Sequence, residues 1–334
     1  MLPPGQIETL KLPQTGEVAP APAWDAETFR LHVGTACFDL PALQALGGEE
    51  FIVDIHCVTG WTRPQTRFTG VRLLKVLEAA NLPVQPFLRF IAHSPRSHDT
   101  TLPWDVAAAD TWLVWAMDGE PLSTPHGGPV RSLTPSRYFY KSLKWLKHIE
   151  GLNEDRLGYW ERESAYHNEA NPWQEQRFDE ARTLSEADLA QLKQGEDFSS
   201  LHGKILLKAR LGGWQPANLD LSNLQIKNSS LRKAQLAGAR CLRVNWSLSN
   251  LEGADLRRAQ FIEADLEGVS FAGADLSEAS MDGVWLSATR FYRDFANGKR
   301  LAAKVSGLKI QRALGLIEAQ AAFLRAGGAV LDVN

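Results

Sequence analysis

The chain has 334 residues, with 36 Lys or Arg against 39 Asp or Glu and a net charge of −3. That length suits two domains, and the near balance of charge leaves no bulk field to gather nucleic acid or an anionic membrane surface. No stretch approaches 18 consecutive apolar residues, so no membrane-spanning helix is expected. The three cysteines, Cys37, Cys57 and Cys241, have no CxxC spacing; they suit a reducing compartment and offer neither a zinc nor a disulfide framework. Met1-Leu2-Pro3-Pro4-Gly5 has no basic region and no apolar core, which reads as an unexported start and a cytoplasmic location.

Residues 1–24 are Pro-rich and without periodicity, an irregular lead-in. Thr28 to Val33 alternates like a short strand. Asp39 is a candidate N-cap for a short helix with Pro41 in its first turn. Phe51, Val53, Ile55 and Cys57 alternate at period 2, which predicts a strand ending on a thiol just before the turn-like Val58-Thr59-Gly60. Taken alone, Cys57 reads as a small buried hydrophobe. Leu73, Leu74, Val76 and Leu77 predict a helix that ends near Asn81 and Pro83. Phe87 to Ala92, Thr111 to Met117, Val130 to Leu133 and Leu143 to Ile149 read as strands, with Asp118-Gly119 a tight turn. Strands and short helices without a regular βαβ beat make this half α+β. Residues 159–182, with Tyr159, Trp160, Tyr166 and Trp173 among many charges, read as a tail that wraps the first domain. Leu184 to Leu189 opens a short helix that ends at Gly195.

The second half has a period of five. Large apolar residues recur from Leu221 through Ile226, Leu231, Leu236, Cys241 and Trp246 to Phe291. Two residues before many of these centres the side chain is small, as at Ala234, Ala239, Ala254, Ala259, Ala264, Ala274 and Ala279. Such a repeat outranks local propensity, and paired large and small inward positions fit a narrow solenoid. Past Phe291 the period is lost. Val305, Leu308, Leu314, Ile317, Ala321 and Leu324 then sit at helical spacing and predict a C-terminal helix covering the open end.

Two motifs in the first half stand in a fixed order. His56-Cys57-Val58-Thr59-Gly60-Trp61 is followed by His126-Gly127-Gly128-Pro129-Val130-Arg131, and eleven residues after Arg131 comes Ser142-Leu143-Lys144-Trp145-Leu146. Together they resemble the sulfite oxidase-like molybdopterin oxidoreductases, over most of residues 1–178 and none of the rest. Units such as Ala254-Asp255-Leu256-Arg257-Arg258 and Ala274-Asp275-Leu276-Ser277-Glu278 resemble the pentapeptide-repeat family. The resemblances imply an α+β sulfite oxidase-like molybdopterin-binding domain followed by an all-β right-handed quadrilateral β-helix of roughly four coils and a C-terminal helix. The expected divisions are 1–178 for the oxidoreductase domain, 179–200 for a linker helix, 201–295 for the β-helix and 296–334 for a helical cap.

The first resemblance implies an enzyme, a molybdenum cofactor-dependent oxidoreductase performing two-electron, oxygen-atom-transfer chemistry on a small molecule with Mo-molybdopterin as cofactor. A soft metal in a pterin dithiolene takes a thiolate from the protein, and the resemblance assigns that to Cys57. It assigns the pterin and its phosphate to His126, Arg131, Ser142, Leu143 and Lys144, with residues near Leu12 to Gly16 as further contacts. Arg131 and Lys144 are suitable cations for a phosphate. Where the family has an active-site tyrosine, this chain aligns His98, whose ordinary pKa of about 6.5 suits proton delivery. The second arginine that the family places after the ligand cysteine is absent from Thr59-Gly60-Trp61-Thr62; Arg63 falls near it, and Arg67 or Arg96 are alternatives. Without a Cys-X-X-Cys-His haem site, a separate electron-transfer partner is expected. The repeats predict a protein partner or self-association. Between Leu206 and Phe295 there are eleven Lys or Arg against ten Asp or Glu, too neutral to mimic a polyanion. The competing reading is a non-enzymatic scaffold in which the solenoid binds a protein and the first domain carries no metal.

Overall fold

A computed structural model describes residues 1–12 and 24–332. The chain forms two compact units, Met1–Asp179 and Glu180–Asn334.

The first unit contains, in order, β1 (Ile7–Glu8), β2 (Leu31–Val33), β3 (Ala36–Phe38), α1 (Leu40–Ala45), β4 (Glu49–Cys57), β5 (Trp61–Arg72), α2 (Leu73–Ala79), β6 (Phe87–Ala92), β7 (Asp99–Pro103), α3 (Trp104–Asp110), β8 (Trp112–Met117), β9 (Glu120–Pro121), β10 (Arg131–Leu133), β11 (Leu146–Leu152) and α4 (Tyr159–Ser164). One sheet runs β1-β5-β8-β10, with β4 also on β5 and β9 on β8; the other runs β3-β2-β11-β6-β7. The predicted cap of α1 is present, since Asp39 accepts from the Ala42 amide at 2.8 Å. The apolar face of α2, with Leu73, Val76 and Leu77, is buried in a core with Phe29, Leu31, Leu88, Phe90 and Ile149.

β5 is the strand that the sequence does not announce. Pro64 and four polar or charged neighbours interrupt its alternation, and a proline inside a run ordinarily demotes it. The pairing of β4 with β5 steps from Val53–Thr66 to Ile55–Arg63, so Pro64 and Gln65 together face Asp54. Pro64 sits in this bulge, where no ladder N–H is required of it. Asp54 accepts from the Gln65 amide at 2.9 Å, holding Gln65 at φ +49°. The predicted strand from Leu143 begins only at Leu146, because Trp145 takes φ +50°. Thr28 is drawn into a side-chain turn on Asp25 (2.7 Å), so β2 begins later than expected.

In the second unit, α5 (Glu186–Gln194) has a complete capping box between Ser185 and Asp188 and ends on Gly195 at φ +72°. It stands where a linker was expected, but its Leu192 is buried in the solenoid core and accepts from Trp214 Nε1 at 3.1 Å, so it covers the first coil. Strands Ile205–Leu207, Gln225–Lys227, Arg240–Leu242, Gln260–Ile262, Ser280–Asp282 and Lys309–Gln311 repeat along one or another side of the coil. The inward centres from Leu221 to Phe291 and their alanine partners are all essentially inaccessible.

The period does not end at Phe291. Paired residues are 20 apart from Arg240–Gln260 to Gln260–Ser280 and 29 apart at Ser280–Lys309. The nine extra residues leave the wall as a hairpin, Tyr292–Asp294 against Arg300–Ala302, and the Ala303 amide returns to the Phe291 carbonyl at 2.7 Å. Val305, Leu308 and Ile310 then resume the buried positions. The spacing that suggested a long C-terminal helix is therefore mostly a shifted five-residue period. The helix is confined to α6 (Glu318–Ala326), and Val330–Asp332 adds a last parallel strand to Lys309–Gln311.

Because the small inward positions are fully buried beside large ones, Ala259→Leu is expected to cost about 1–3 kcal/mol by overpacking. Urea unfolding followed through Trp246, which is buried in the same core, measures this loss; an unchanged midpoint would mean the wall can expand.

Candidate functional site

Cys57 is the last residue of β4, and Val58, Thr59 and Gly60 turn the chain into β5, with Cys57 opposite Trp61. Gly60 takes φ +101° and its amide donates to the Cys57 carbonyl at 3.0 Å. The Cys57 side chain is half-buried. Its Sγ lies 3.1 Å from Thr59 Oγ1, and it packs on a cluster of Val58, Tyr138, Ala170, Tyr140, Tyr166 and Phe178. Burial pushes the Tyr140 and Tyr166 phenols up, and the Cys57 sulfur adds to the effect on Tyr166. The neighbouring His56 is buried, with Nδ1 2.9 Å from Thr62 Oγ1.

The two parts of the downstream motif are tied to each other. Arg131 is buried, and its guanidinium donates to the carbonyls of His126 (2.9 Å) and Ser142 (2.6 Å) while lying 4.2 Å over the Phe139 ring. Burial lowers its pKa to about 9, so it remains cationic at neutral pH. The Ser132 hydroxyl accepts from the Leu143 amide at 2.8 Å, and the Ser142 hydroxyl from the Thr134 amide at 3.0 Å. The Trp145 amide donates to the Gly127 carbonyl at 3.2 Å. Approach is close enough that a Cβ on Gly127 would lie 2.9 Å from Lys144 Cα, and one on Gly128 2.0 Å from the Leu122 carbonyl oxygen. Burial depresses the pKa of His126, and the nearby cations Arg131, Lys144 and Arg63 add to the effect.

His126, Arg131, Ser142, Leu143 and Lys144 thus form one knot. Cys57 reaches it through the segment Tyr138-Phe139-Tyr140: Tyr138 and Tyr140 pack beside Cys57, while Phe139 joins Ile55 and lies under Arg131. His98 is placed elsewhere. It is buried, with Nδ1 2.7 Å from Ser94 Oγ, and its ring packs at a tilt against Tyr159 (3.9 Å) and Trp160 (5.5 Å). Trp160 in turn faces Tyr166 at 6.1 Å, so one ring, Trp160, lies between His98 and the cluster around the thiol. Three phenols, Tyr138, Tyr140 and Tyr166, share the cluster in which Cys57 packs. Arg63 is paired with Asp118 (2.5 Å), Arg67 with Glu50 (3.7 Å), and Arg96 donates to Tyr159 OH (3.0 Å). Of the contacts suggested near Leu12 to Gly16, residues 13–16 lie outside the described residues.

Sequence reasoning passed over Tyr138, Tyr140, Lys141, Gln6 and Arg177. The alternating aromatics of Tyr138-Phe139-Tyr140 between two motifs were the available signal. Tyr138 is fully buried, and its hydroxyl has no partner in hydrogen-bonding geometry, although Arg177 and Gln6 are near enough to oppose the upward push of burial on its pKa.

Burial also lowers the pKa of His56, His126 and His148. The unfolded chain, with histidines near 6.5, takes up these protons first as the pH falls, so the contribution to stability present above about 6.5 is lost below it. Thermal midpoints are expected to fall between pH 7 and pH 5, and His148→Gln, away from the thiol, is expected to remove part of that slope. A pH-independent midpoint would contradict it.

The Oxidoreductase molybdopterin binding domain family model matches residues 18–160, and the Pentapeptide repeats model matches residues 229–268 and 254–291. The chain is 36% identical over 183 residues to the "Uncharacterized oxidoreductase YuiH" of Bacillus subtilis (strain 168), covering 53% of this chain and 91% of that protein. It is 24% identical over 227 residues to "Sulfite oxidase, mitochondrial" of Rattus norvegicus, covering 57% of this chain and 41% of that one. Among solved structures, the sulfane dehydrogenase SoxCD from Paracoccus pantotrophus aligns over 44% of this chain and 43% of its own, at 19% identity and a TM-score of 0.39.

Proposed function

Because the chain belongs to the oxidoreductase family defined by the molybdopterin-binding domain, we propose that it is a molybdenum-dependent oxidoreductase of the oxygen-atom-transfer type, with its pentapeptide-repeat β-helix as an interaction or self-association module. The observation that carries this reading is a half-buried strand-end thiol joined, through Tyr138-Phe139-Tyr140, to a cationic knot made of two stretches eleven residues apart. The donor set fits the group. Cys57 offers one soft ligand, and among the described residues no trio of His, Cys, Asp or Glu is arranged to hold a metal by itself. The unpartnered Tyr138 hydroxyl, buried beside Cys57, fits a polar atom of a bound group.

When bound, a molybdenum–pterin group supplies the two-electron couple and the exchangeable oxygen. In this reading Cys57 holds the metal as thiolate. His126, Ser142, Leu143 and Lys144 hold the pterin and its phosphate. Arg131 contributes positive charge and braces both loops through the His126 and Ser142 carbonyls. His98, separated from the thiol cluster by Trp160, is proposed to keep a proton for exchange and not to touch substrate. Electrons pass to a separate partner, and the solenoid takes a protein partner or a second copy. Expression in a host that makes molybdopterin tests the reading: one molybdenum and one pterin per chain are expected. Metal-free protein from such a host would favour the scaffold reading.

Arg63 and Arg67 are paired with Asp118 and Glu50, and Arg96 donates to Tyr159 OH, so in this reading none of them is the cation that concentrates a small anion. Sulfite turnover by the loaded protein is expected to be poor, with kcat/KM below about 10⁴ M⁻¹s⁻¹, and a neutral or larger organic substrate is expected to do better. Steady-state kinetics with an artificial electron acceptor measure this, and an efficient sulfite reaction would show that another cation serves the site.

A further inference from the structure

Two segments outside residues 18–160 meet at the Cys57 turn. From one side, Gly5 at φ +63° turns the chain into β1, which lies parallel to the start of β5. The Ile7 amide donates to the Gly60 carbonyl at 3.0 Å and the Thr9 amide to the Thr62 carbonyl at 2.9 Å. Gln6 Nε2 donates to the Cys57 carbonyl at 3.1 Å, the same oxygen that receives the Gly60 amide. The Gln6 amide is itself oriented: its Oε1 accepts from Thr62 Oγ1 at 3.2 Å, and Thr62 Oγ1 lies 2.9 Å from His56 Nδ1. From the other side comes Arg177. Its Nη2 donates to the carbonyls of Pro4 (3.1 Å) and Gly5 (2.9 Å). Its Nη1 lies against the turn, 3.4 Å from where a Cβ on Gly60 would be, and a Cβ on Gly5 would come within 2.6 Å of Nη2. At Gly5 a Cβ would collide with the guanidinium, and at Gly60 it would meet Nη1 at ordinary contact distance.

We propose that Arg177 and Gln6 are positioning residues that clamp the Cys57 turn from two segments outside the family domain and so set the direction in which the thiolate meets the pterin-bound metal. The physical basis is rigidity. A planar guanidinium whose Nη2 is shared between two carbonyls has little freedom left to turn, and its bonds are charge-assisted. The Cys57 peptide, with both lone pairs of its carbonyl used, has no soft rotation left. A ligand supported in this way keeps its orientation without help from the metal, the part that outer-shell partners play at metal centres. The orienting role rests on the functional reading above; the clamp itself does not.

The test uses the full chain with Arg177→Met, Arg177→Lys and Gln6→Ala. In cofactor-free protein, hydrogen exchange at the Ile7 and Gly60 amides is expected to quicken about tenfold or more in Arg177→Met and in Gln6→Ala, with Arg177→Lys in between. In protein from a molybdopterin-producing host, the sulfur-to-molybdenum absorption band is expected to shift in Arg177→Met at unchanged molybdenum content and to return toward the parent position in Arg177→Lys. A role in stability alone would lower content or melting temperature without moving the band. Unchanged exchange in both Arg177→Met and Gln6→Ala would overturn the clamp. An unmoved band at full metal content would overturn the orienting role, and a parent chain without molybdenum would overturn the functional reading and the orienting role together. Gln6→Ala deletes neutral side-chain bonds only, so it stays informative should Arg177→Met fail to fold.

Discussion

Replacing Cys57 by serine is expected to leave a folded chain that has lost its redox chemistry. The fold has little stake in the sulfur: the side chain is half-buried and its short polar contact is to Thr59 Oγ1 at 3.1 Å, which a serine hydroxyl can also make. The turn is held by backbone and by Gln6. The metal has everything at stake in it, because a serine oxygen is hard, small and reluctant to ionise where a thiolate is soft and readily deprotonated. Changes in the groups that merely support a metal ligand typically cost 10–100-fold, and loss of the ligand itself is expected to cost more than roughly 100-fold in turnover. The sulfur-to-molybdenum absorption should vanish while the melting temperature barely moves. Unchanged turnover with an unchanged metal–sulfur signal would refute the assignment.

The second large effect lies away from the thiol. Lys141 and Glu161 form an ion pair with both side chains about 1% exposed. Lys141 Nζ also donates to the Thr101 carbonyl at 2.9 Å and Asn168 Oδ1 at 3.2 Å. The pair therefore pins α4 and the segment after it to the Tyr138–Lys141 turn that borders Cys57. Removing one partner strands a charge in a dry place, at a cost of about 3–5 kcal/mol, whereas removing both can be nearly neutral. Lys141→Met is expected to lower the melting temperature of the first unit by about 6–20 °C at 2–4 °C per kcal/mol. Lys141→Met with Glu161→Leu should recover most of it. If the single and double variants melt alike, the pair is not what holds the tail.

Lys141 also shows why the site was only partly legible. In the sequence it is one lysine in a polar stretch, and a lone lysine is ordinarily solvated. Nothing local distinguishes it from the exposed Lys147. The grouping of His126, Arg131 and Ser142 to Lys144 comes from the resemblance that these stretches carry in their order and spacing; taken singly, His126 reads as turn chemistry and the two cations as a solvated strand face. Its geometry differs from a simple reading of charge, however. Arg131 looks like a cation held out to a phosphate, yet much of its hydrogen bonding is spent on two carbonyls of its own chain. Charge can be counted from a sequence, but the acceptor cannot be known until the loops have closed.

The solenoid shows the same division. Its inward face is determined by the chain alone, since a period of five with small residues beside large ones admits few packings, and every predicted centre from Leu221 to Phe291 is buried. Beyond Phe291, nine residues enter as a hairpin and move the phase. A periodic signal has no way to mark an insertion as an excursion from the wall, so the coil past it looked helical. In the first unit, local alternation and a cap determined β4, α1, α2, β6 and β8, because hydrophobic periodicity and the satisfaction of helix ends are short-range. Tertiary structure alone decided β5, whose Pro64 is acceptable only because β4 offers it a bulge. It also decided which groups stand beside the thiol. Arg177 and Gln6 meet at Gly60 from segments more than 150 residues apart in sequence, and such meetings depend on long-range burial, for which the local sequence carries no mark.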